Sequence, residues 1–336
     1  MPDRAADATA FLAEVGWGRA ARAHLAGDAS NRRYERLRRG ADRAVLMDAP
    51  PARGEDVRPF ARIARHLRGL GLSAPAIMAE DSAAGFLLIE DLGDDLFARL
   101  LAADPSREAE LYVTATQLLA RLHAAPLPEG IAPYDAPLMG DLAALALDWY
   151  APTEATPRAR TEFADLVTGM CDALAPGAGV LVLRDYHAEN LLWLPERTGL
   201  ARVGLLDFQD AMAGHPAYDL VSLLQDARRD VPEATERAMR AQYVTITGQD
   251  GARFSAAYAA LGAQRALRIL GVFARLCLRD GKPRYLDYMP RVWEHLQRNL
   301  AHPELAPLRR RIAAHLPAPD TAMREELRRR CPAPTP

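Results

Sequence analysis

Two short apolar runs that each end on an aspartate constrain this chain more than any other feature. Val180-Leu181-Val182-Leu183 leads into Asp185-Tyr186-His187-Ala188-Glu189-Asn190. Val203-Gly204-Leu205-Leu206 leads into Asp207-Phe208-Gln209-Asp210, seventeen residues past that Asn. Both runs have the length and composition of short buried strands. A strand ending near Asp, an Asn five residues on and a second strand ending in Asp form the acid layout of phosphoryl transfer from ATP. The first Asp accepts a hydroxyl proton, while the Asn and the second Asp hold Mg²⁺ on the nucleotide phosphates. Magnesium takes oxygen ligands and is commonly held by one or two carboxylates plus phosphate oxygens, so a sparse set suffices. Either segment alone reads equally well as turn chemistry, because Asp and Asn stop strands and start turns. The order of the pair favours the catalytic reading.

With these residues in view, the chain resembles the aminoglycoside phosphotransferase and choline kinase-like family. Its catalytic loop reads H-x-D-x-H-x-x-N, followed by D-[FW]-x-D and G-x-P-x-x-D-[LI]. The matching stretches are Leu183 to Asn190, Asp207 to Asp210 and Gly214-His215-Pro216-Ala217-Tyr218-Asp219-Leu220. Leu183 replaces the usual first His, which puts the bracing of the loop in doubt more than the chemistry. Arg184-Asp185-Tyr186-His187, Leu206 to Ala211, Tyr218 to Leu224 and Gln264-Arg265-Ala266-Leu267 look like bacterial anomeric sugar kinases. So do Gly27-Asp28-Ala29-Ser30-Asn31-Arg32-Arg33-Tyr34 and Leu46-Met47-Asp48-Ala49-Pro50-Pro51. Those enzymes phosphorylate the C1 hydroxyl of N-acetylmuramate and N-acetylglucosamine in peptidoglycan recycling. The resemblance covers residues 25 to 295 and implies an α+β, bilobal protein kinase-like fold. A small β-sheet N-lobe (1–93) would bind ATP, a mostly helical C-lobe (94–336) would carry catalysis and substrate, and the nucleotide would enter a cleft between them.

Composition narrows the partners. At 336 residues and 49% hydrophobic, the chain can bury a large core. A net charge of −2 gives no sign of nucleic acid or an anionic membrane as a partner. Cys171, Cys277 and Cys331 lack metal-ligand spacing and read as reduced thiols. With no secretory signal and no long apolar run, the expectation is a cytoplasmic protein with no obligate protein partner evident.

Along the chain, Ala5 to Leu25 reads as a helix closed at Gly27. Arg33 to Leu37 and Arg43 to Met47 read as a strand pair, Val57 to Leu70 as an amphipathic helix, and Ala76 to Ala79 with Phe86 to Ile89 as further strands. Beyond Gly93 the periodicity is mostly helical.

A nucleotide site follows from this order. Gly27 to Ser30 stands before a strand, where small residues let backbone N–H groups approach phosphate. Ser30 either donates its hydroxyl to phosphate or caps the turn. Glu90-Asp91-Leu92 follows the last small-lobe strand, where kinases bond adenine through the backbone, which makes Glu90 and Leu92 candidates. The lysine that kinases place on the third strand is missing; the only lysine is Lys282, and Met47 holds the expected position. Arg33 and Arg43 are the candidate replacements, Arg33 favoured for its nearness to the loop.

The remaining roles follow from phosphoryl transfer, which needs alignment and charge neutralisation. Asp185 is the base, Asn190 and Asp207 the Mg²⁺ ligands, and Asp210 supports the loop or metal shell. Asp219 braces the loop or caps a helix, and relatives imply a structural His187. Trp149, Arg265 and Arg268 are acceptor-site candidates, with core packing or internal pairing as the alternative for each. Three readings compete: an anomeric amino-sugar kinase, a kinase of the same fold acting on an aminoglycoside, choline or another metabolite, and a weakly active nucleotide-binding regulator.

Overall fold

A computed structural model describes residues 4–25, 31–152, 155–177 and 179–332. The chain forms two compact units, Met1–Leu118 with Ala188–Ala211, and Leu119–His187 with Met212–Pro336.

The first unit is built on a five-stranded antiparallel sheet in the order β1-β2-β3-β5-β4. The strands are β1 (Ala21–Leu25), β2 (Arg33–Arg39), β3 (Asp42–Asp48), β4 (Ile77–Asp81) and β5 (Phe86–Glu90). Period-two alternation sorts their side chains between two faces. Leu37, Ala44, Leu46, Phe86 and Leu88 form one core with Ala8, Phe11 and Leu12 of helix α1 (Arg4–Glu14) and with Trp17. Phe11 stacks on Phe86 at 5.5 Å. Each large side chain buried there contributes about 1.5–3 kcal/mol. The other face carries Val45, Met47, Leu87 and Ile89, all buried as well. Helix α2 (Arg58–Gly69) buries Phe60, Ala61, Ile63, Ala64 and Leu67 along one stripe.

The helix expected over Ala5 to Leu25 ends early. Gly16 turns at φ 79° after α1, and Ala21–Leu25 pairs with Tyr34 to Arg38 as an edge strand. Ladder hydrogen bonds from β2 decide the state of this segment, so local periodicity gives way to a tertiary partner.

The same unit contains a hairpin of β7 (Leu191–Trp193) and β8 (Val203–Leu205). Ser73 fastens it to the sheet-bearing segment: its carbonyl accepts from the Leu205 N–H at 2.9 Å, and its hydroxyl donates to the Ala201 carbonyl at 2.6 Å. Helices α3 (Phe97–Ala103) and α4 (Glu108–His123) follow the sheet in sequence.

The second unit is helical: α5 (Ala136–Ala143), α6 (Pro157–Leu174), α7 (Ala217–Leu224), α8 (Glu233–Thr247), α9 (Gly251–Leu278), α10 (Met289–Leu300), α11 (Ala306–His315) and α12 (Thr321–Arg329). At 28 residues, α9 is apolar on most of its circumference, as a central helix must be. Asp250 caps it by accepting from the Arg253 N–H at 2.8 Å. At Gly271 a Cβ would collide with the Leu145 backbone, so only glycine admits the π-turn Ala146–Tyr150 against α9. The strand pair β6 (Val180–Val182) and β9 (Met212–Gly214) completes this unit.

Three histidines of this unit, His295 buried and His123 and His215 half-buried, are held neutral. Burial lowers His123 to about 3, His215 to about 4 and His295 to about 4. Below their ordinary value of 6.5 the unfolded chain binds protons that the native state refuses, so stability held above pH 6.5 is lost on acidification. Each group contributes about 1.4 kcal/mol per pH unit between 6.5 and its folded value. His123→Phe should therefore flatten the fall in urea midpoint between pH 6.5 and pH 4. An unchanged slope in that variant contradicts the assignment.

Candidate active site

In the sheet-bearing unit the β7–β8 hairpin sets two side chains together. Asn190 immediately precedes β7 and Asp207 follows β8, and the Leu206 N–H donates to the Asn190 carbonyl at 3.0 Å. Asn190 Nδ2 lies 3.5 Å from Asp207 Oδ2. Asp207 has φ 56°, a left-handed conformation that is uncommon for a residue with a Cβ and concentrates at functional sites. Gln209 Nε2 donates to Asp207 Oδ1 at 2.7 Å and lies 3.4 Å from Asp210 Oδ2, so Gln209 orients one acid and touches the other. The buried ring of Phe208 stacks on Phe60 of α2 at 4.8 Å.

The helical unit holds Asp185 and the residues around it. Asp185 follows β6, and the residue before it, Arg184, has φ 71°. Helix α7 pins that conformation from both sides. Asp219 accepts from the N–H groups of Leu183 at 2.6 Å and Arg184 at 2.8 Å, while the Ser222 hydroxyl donates to the Arg184 carbonyl at 3.1 Å. Backbone strain of about 1–3 kcal/mol persists only where neighbours over-determine it. Burial raises Asp219 to about 7, against the lowering effect of the two N–H donors.

Burial also raises the Asp185 carboxyl, but Arg268 foremost, then His187, Arg265 and Arg184, outweigh it and leave the group below its ordinary value. Asp185 is therefore ionised at neutral pH. Arg268 Nη1 donates to the Tyr218 hydroxyl at 3.0 Å, and the Tyr134 hydroxyl donates to Tyr218 at 3.2 Å. Arg265 is buried, with Nη2 on Ser222 Oγ at 2.9 Å and Nη1 on the Gln225 carbonyl at 3.3 Å. It reaches the Arg184 carbonyl through Ser222. His187 is buried with Nε2 3.2 Å from Arg228 Nη1.

The other expected residues are placed unevenly. Gly27 and Ser30 lie outside the described residues. Arg33 and Arg43 are both exposed. Arg33 alternates with Tyr34 on β2 and so shares the face of Leu37, which packs toward α1, whereas Met47 pairs with Tyr34 and shares the opposite face. The Glu90 N–H is used by the Ala76 carbonyl at 2.8 Å, and its carboxylate accepts from the Ala76 N–H at 3.1 Å, Arg68 at 3.2 Å and Arg197 at 2.5 Å. Leu92 packs near Gly204 of β8. Trp149 is half-buried in the π-turn, flanked by Asp148, which pairs with Arg160 at 3.1 Å, and by Tyr150, whose hydroxyl donates to the Pro317 carbonyl at 2.6 Å. Arg32, Tyr34, Gln209 and Ser222 escaped the sequence reading. The i, i+3 spacing of Asp219 and Ser222 on one helix was the available signal for Ser222.

Among the described residues no three His, Cys, Asp or Glu side chains gather into a metal cage. Magnesium does not require one, since phosphate oxygens and waters complete its shell. The donor set fits: Asp207 supplies carboxylate oxygens, and the Asn190 amide beside it carries an acceptor oxygen as well as a donor.

Residues 23–258 match the phosphotransferase enzyme family. The chain is 41% identical to an N-acetylmuramate/N-acetylglucosamine kinase of Caulobacter vibrioides over 94% of its length and 97% of that protein. It is 36% identical to one of the same name from Pseudomonas aeruginosa, covering 90% and 92%. Among solved structures, a choline/ethanolamine kinase family protein from Mesorhizobium loti superposes with TM-score 0.60 at 17% identity, covering 93% of this chain and 98% of that one. An ADP-bound aminoglycoside phosphotransferase gives 0.58 at 13%, covering 88% and 97%. These two likenesses establish the α+β, bilobal kinase-like fold, and with the sequence matches they lead to one assignment: the chain belongs to the phosphotransferase enzyme family and is an enzyme of that class.

Proposed function

We propose that the chain moves the γ-phosphoryl group of ATP to the anomeric hydroxyl of N-acetylmuramate or N-acetylglucosamine, with Mg²⁺, in the cytoplasm. The observation that carries this reading is the match to sugar kinases of that name along nearly the whole chain, at 41% identity. No helix among the described residues is long and apolar enough to cross a membrane.

Asp185 takes the proton of the C1 hydroxyl as the C1 oxygen bonds to the γ-phosphorus and the bond from that phosphorus to the bridging oxygen breaks, releasing ADP. An anomeric hydroxyl is more acidic than an ordinary alcohol, which suits a carboxylate held below its usual range. Asn190 and Asp207 hold Mg²⁺, which supplies charge neutralisation on the phosphates. Gln209 orients Asp207, and Asp210 supports that loop. Asp219 and His187 brace the segment around Asp185. Residues 1–93 serve the nucleotide, with Gly27 and Ser30 at the phosphates and Glu90 to Leu92 at adenine. Residues 94–336 serve catalysis and the acceptor. Arg268 meets the lactyl carboxylate of N-acetylmuramate and Trp149 offers a face to the sugar ring. Arg265, engaged with Ser222 and Gln225, acts as a brace.

Magnesium-dependent ATP consumption across amino sugars, aminoglycosides and amino alcohols tests the reading. Turnover with N-acetylmuramate or N-acetylglucosamine and an acid-labile product is the expected outcome. Turnover confined to aminoglycosides or choline, or no turnover at all, contradicts it.

A further inference from the structure

A chain with a single lysine, Lys282, must find another cation for the nucleotide phosphates. On β3 the position is taken by Met47, which is 1% exposed and carries no charge. Met47 pairs with Tyr34 across the β2–β3 ladder, and directly paired residues point to one side of the sheet. Arg33 belongs to the side that packs toward α1. The arginine one residue earlier does not share its surroundings. Arg32 Nε donates to Glu55 Oε2 at 2.8 Å, with the two side chains only 13% and 12% exposed.

Glu55 stands just before α2, and α2 carries Phe60, whose ring stacks at 4.8 Å on Phe208, the residue after Asp207. The ion pair and the metal-side acid are therefore fastened to the same helix region. Tyr34 joins them: burial raises its phenol, the Arg32 charge and a hydrogen bond from Arg32 lower it, and the Asp207 charge raises it. Arg32, Tyr34 and Asp207 thus share one side of this unit.

We propose that Arg32, held by Glu55, is the cation that receives the nucleotide's α- and β-phosphates in this chain. It takes the part of the strand lysine that protein kinases pair with a helix glutamate. A guanidinium has five N–H donors in a planar fork, enough to serve a carboxylate on one edge and a phosphate on another. Burying one charge of the pair without the other is unfavourable, so Glu55 keeps Arg32 in place before the nucleotide arrives. The assignment rests on the nucleotide-using reading above and goes beyond it by naming the residue.

The test is a set of affinities for ADP, AMP and adenosine in the full chain, measured for the wild type and for Arg32→Ala, Arg32→Lys, Arg33→Ala and Arg43→Ala. Arg32→Ala should weaken ADP by about thirtyfold or more, a charge-assisted contact of roughly 2 kcal/mol by the constant of 1.4 kcal/mol per decade. AMP should weaken less, and adenosine should stay within about twofold. Arg32→Lys should recover part of the ADP loss, while Arg33→Ala and Arg43→Ala match the wild type. Wild-type ADP binding that survives Arg32→Ala overturns this inference alone. Equal losses for ADP and adenosine overturn it too, because they report a disturbed fold and no phosphate contact. A wild type that binds no ADP overturns the nucleotide reading beneath it.

Discussion

Replacing Asp185 with asparagine should lower kcat by about a thousandfold and leave ADP affinity within about twofold, since general-base assistance is worth about 10²–10⁴ in rate. The amide keeps the size and shape of the carboxylate but accepts a proton far less readily. Arg268, His187, Arg265 and Arg184 are the groups that hold the wild-type carboxyl below its usual range, and in the variant that positive field faces a neutral group. The loop conformation should survive, because Arg184 is pinned by Asp219 and Ser222 on α7, neither of which the substitution touches. ADP binding within the wild-type range therefore separates lost chemistry from lost folding. Initial rates with saturating sugar and ATP, together with an ADP titration, decide it. A variant with more than a tenth of wild-type kcat removes Asp185 from the role of base.

The second large effect should come from Asp207→Asn. Asparagine tolerates the left-handed backbone better than other residues with a Cβ, so φ 56° at this position argues against alanine as the probe. Gln209 keeps a partner in the amide oxygen. What disappears is one negative charge and the stronger oxygen ligand beside Asn190. The Mg²⁺ concentration for half-maximal rate should rise by about tenfold or more, and kcat at saturating metal should fall by about 10²–10³, in line with losses on removing one electrostatic stabiliser of the transition state. Rates measured over a Mg²⁺ titration at fixed ATP give both numbers. An unchanged metal dependence means that Asp207 does not hold the ion.

Much of this was readable from residues alone, for physical reasons. A buried strand needs an apolar run and a turn residue to end it, so Val180 to Leu183 and Val203 to Leu206 announce β6 and β8 by themselves. Helix α2 announced itself through its amphipathic stripe. Other features depended on partners far along the chain. Ala21–Leu25 carries no strand signal strong enough to override the helical pattern before it, and only its pairing with β2 makes it a strand. The face taken by Arg33, the cation the sequence favoured, was closed to the sequence, because the register alone puts it on the side of Leu37 and not of Met47. For Arg265 the sequence left acceptor contact and internal pairing open, since a fork on Ser222 and the Gln225 carbonyl depends on residues some forty positions away. Likewise the strand pairing was hidden: β6 and β8 each lead into an acid, yet each pairs with a different short neighbour, β9 and β7.

Phosphorus NMR on reaction mixtures containing N-acetylglucosamine or its 1-O-methyl glycoside tests the central claim most directly. The two sugars differ only at the anomeric oxygen, so recognition of the ring is nearly the same while the proposed nucleophile is present in one and blocked in the other. The account predicts a sugar phosphate resonance coupled to the anomeric proton from the free sugar, no phosphorylated product from the methyl glycoside, and no product from either with Asp185→Asn. Phosphorylation of the methyl glycoside at a rate comparable to the free sugar would contradict it.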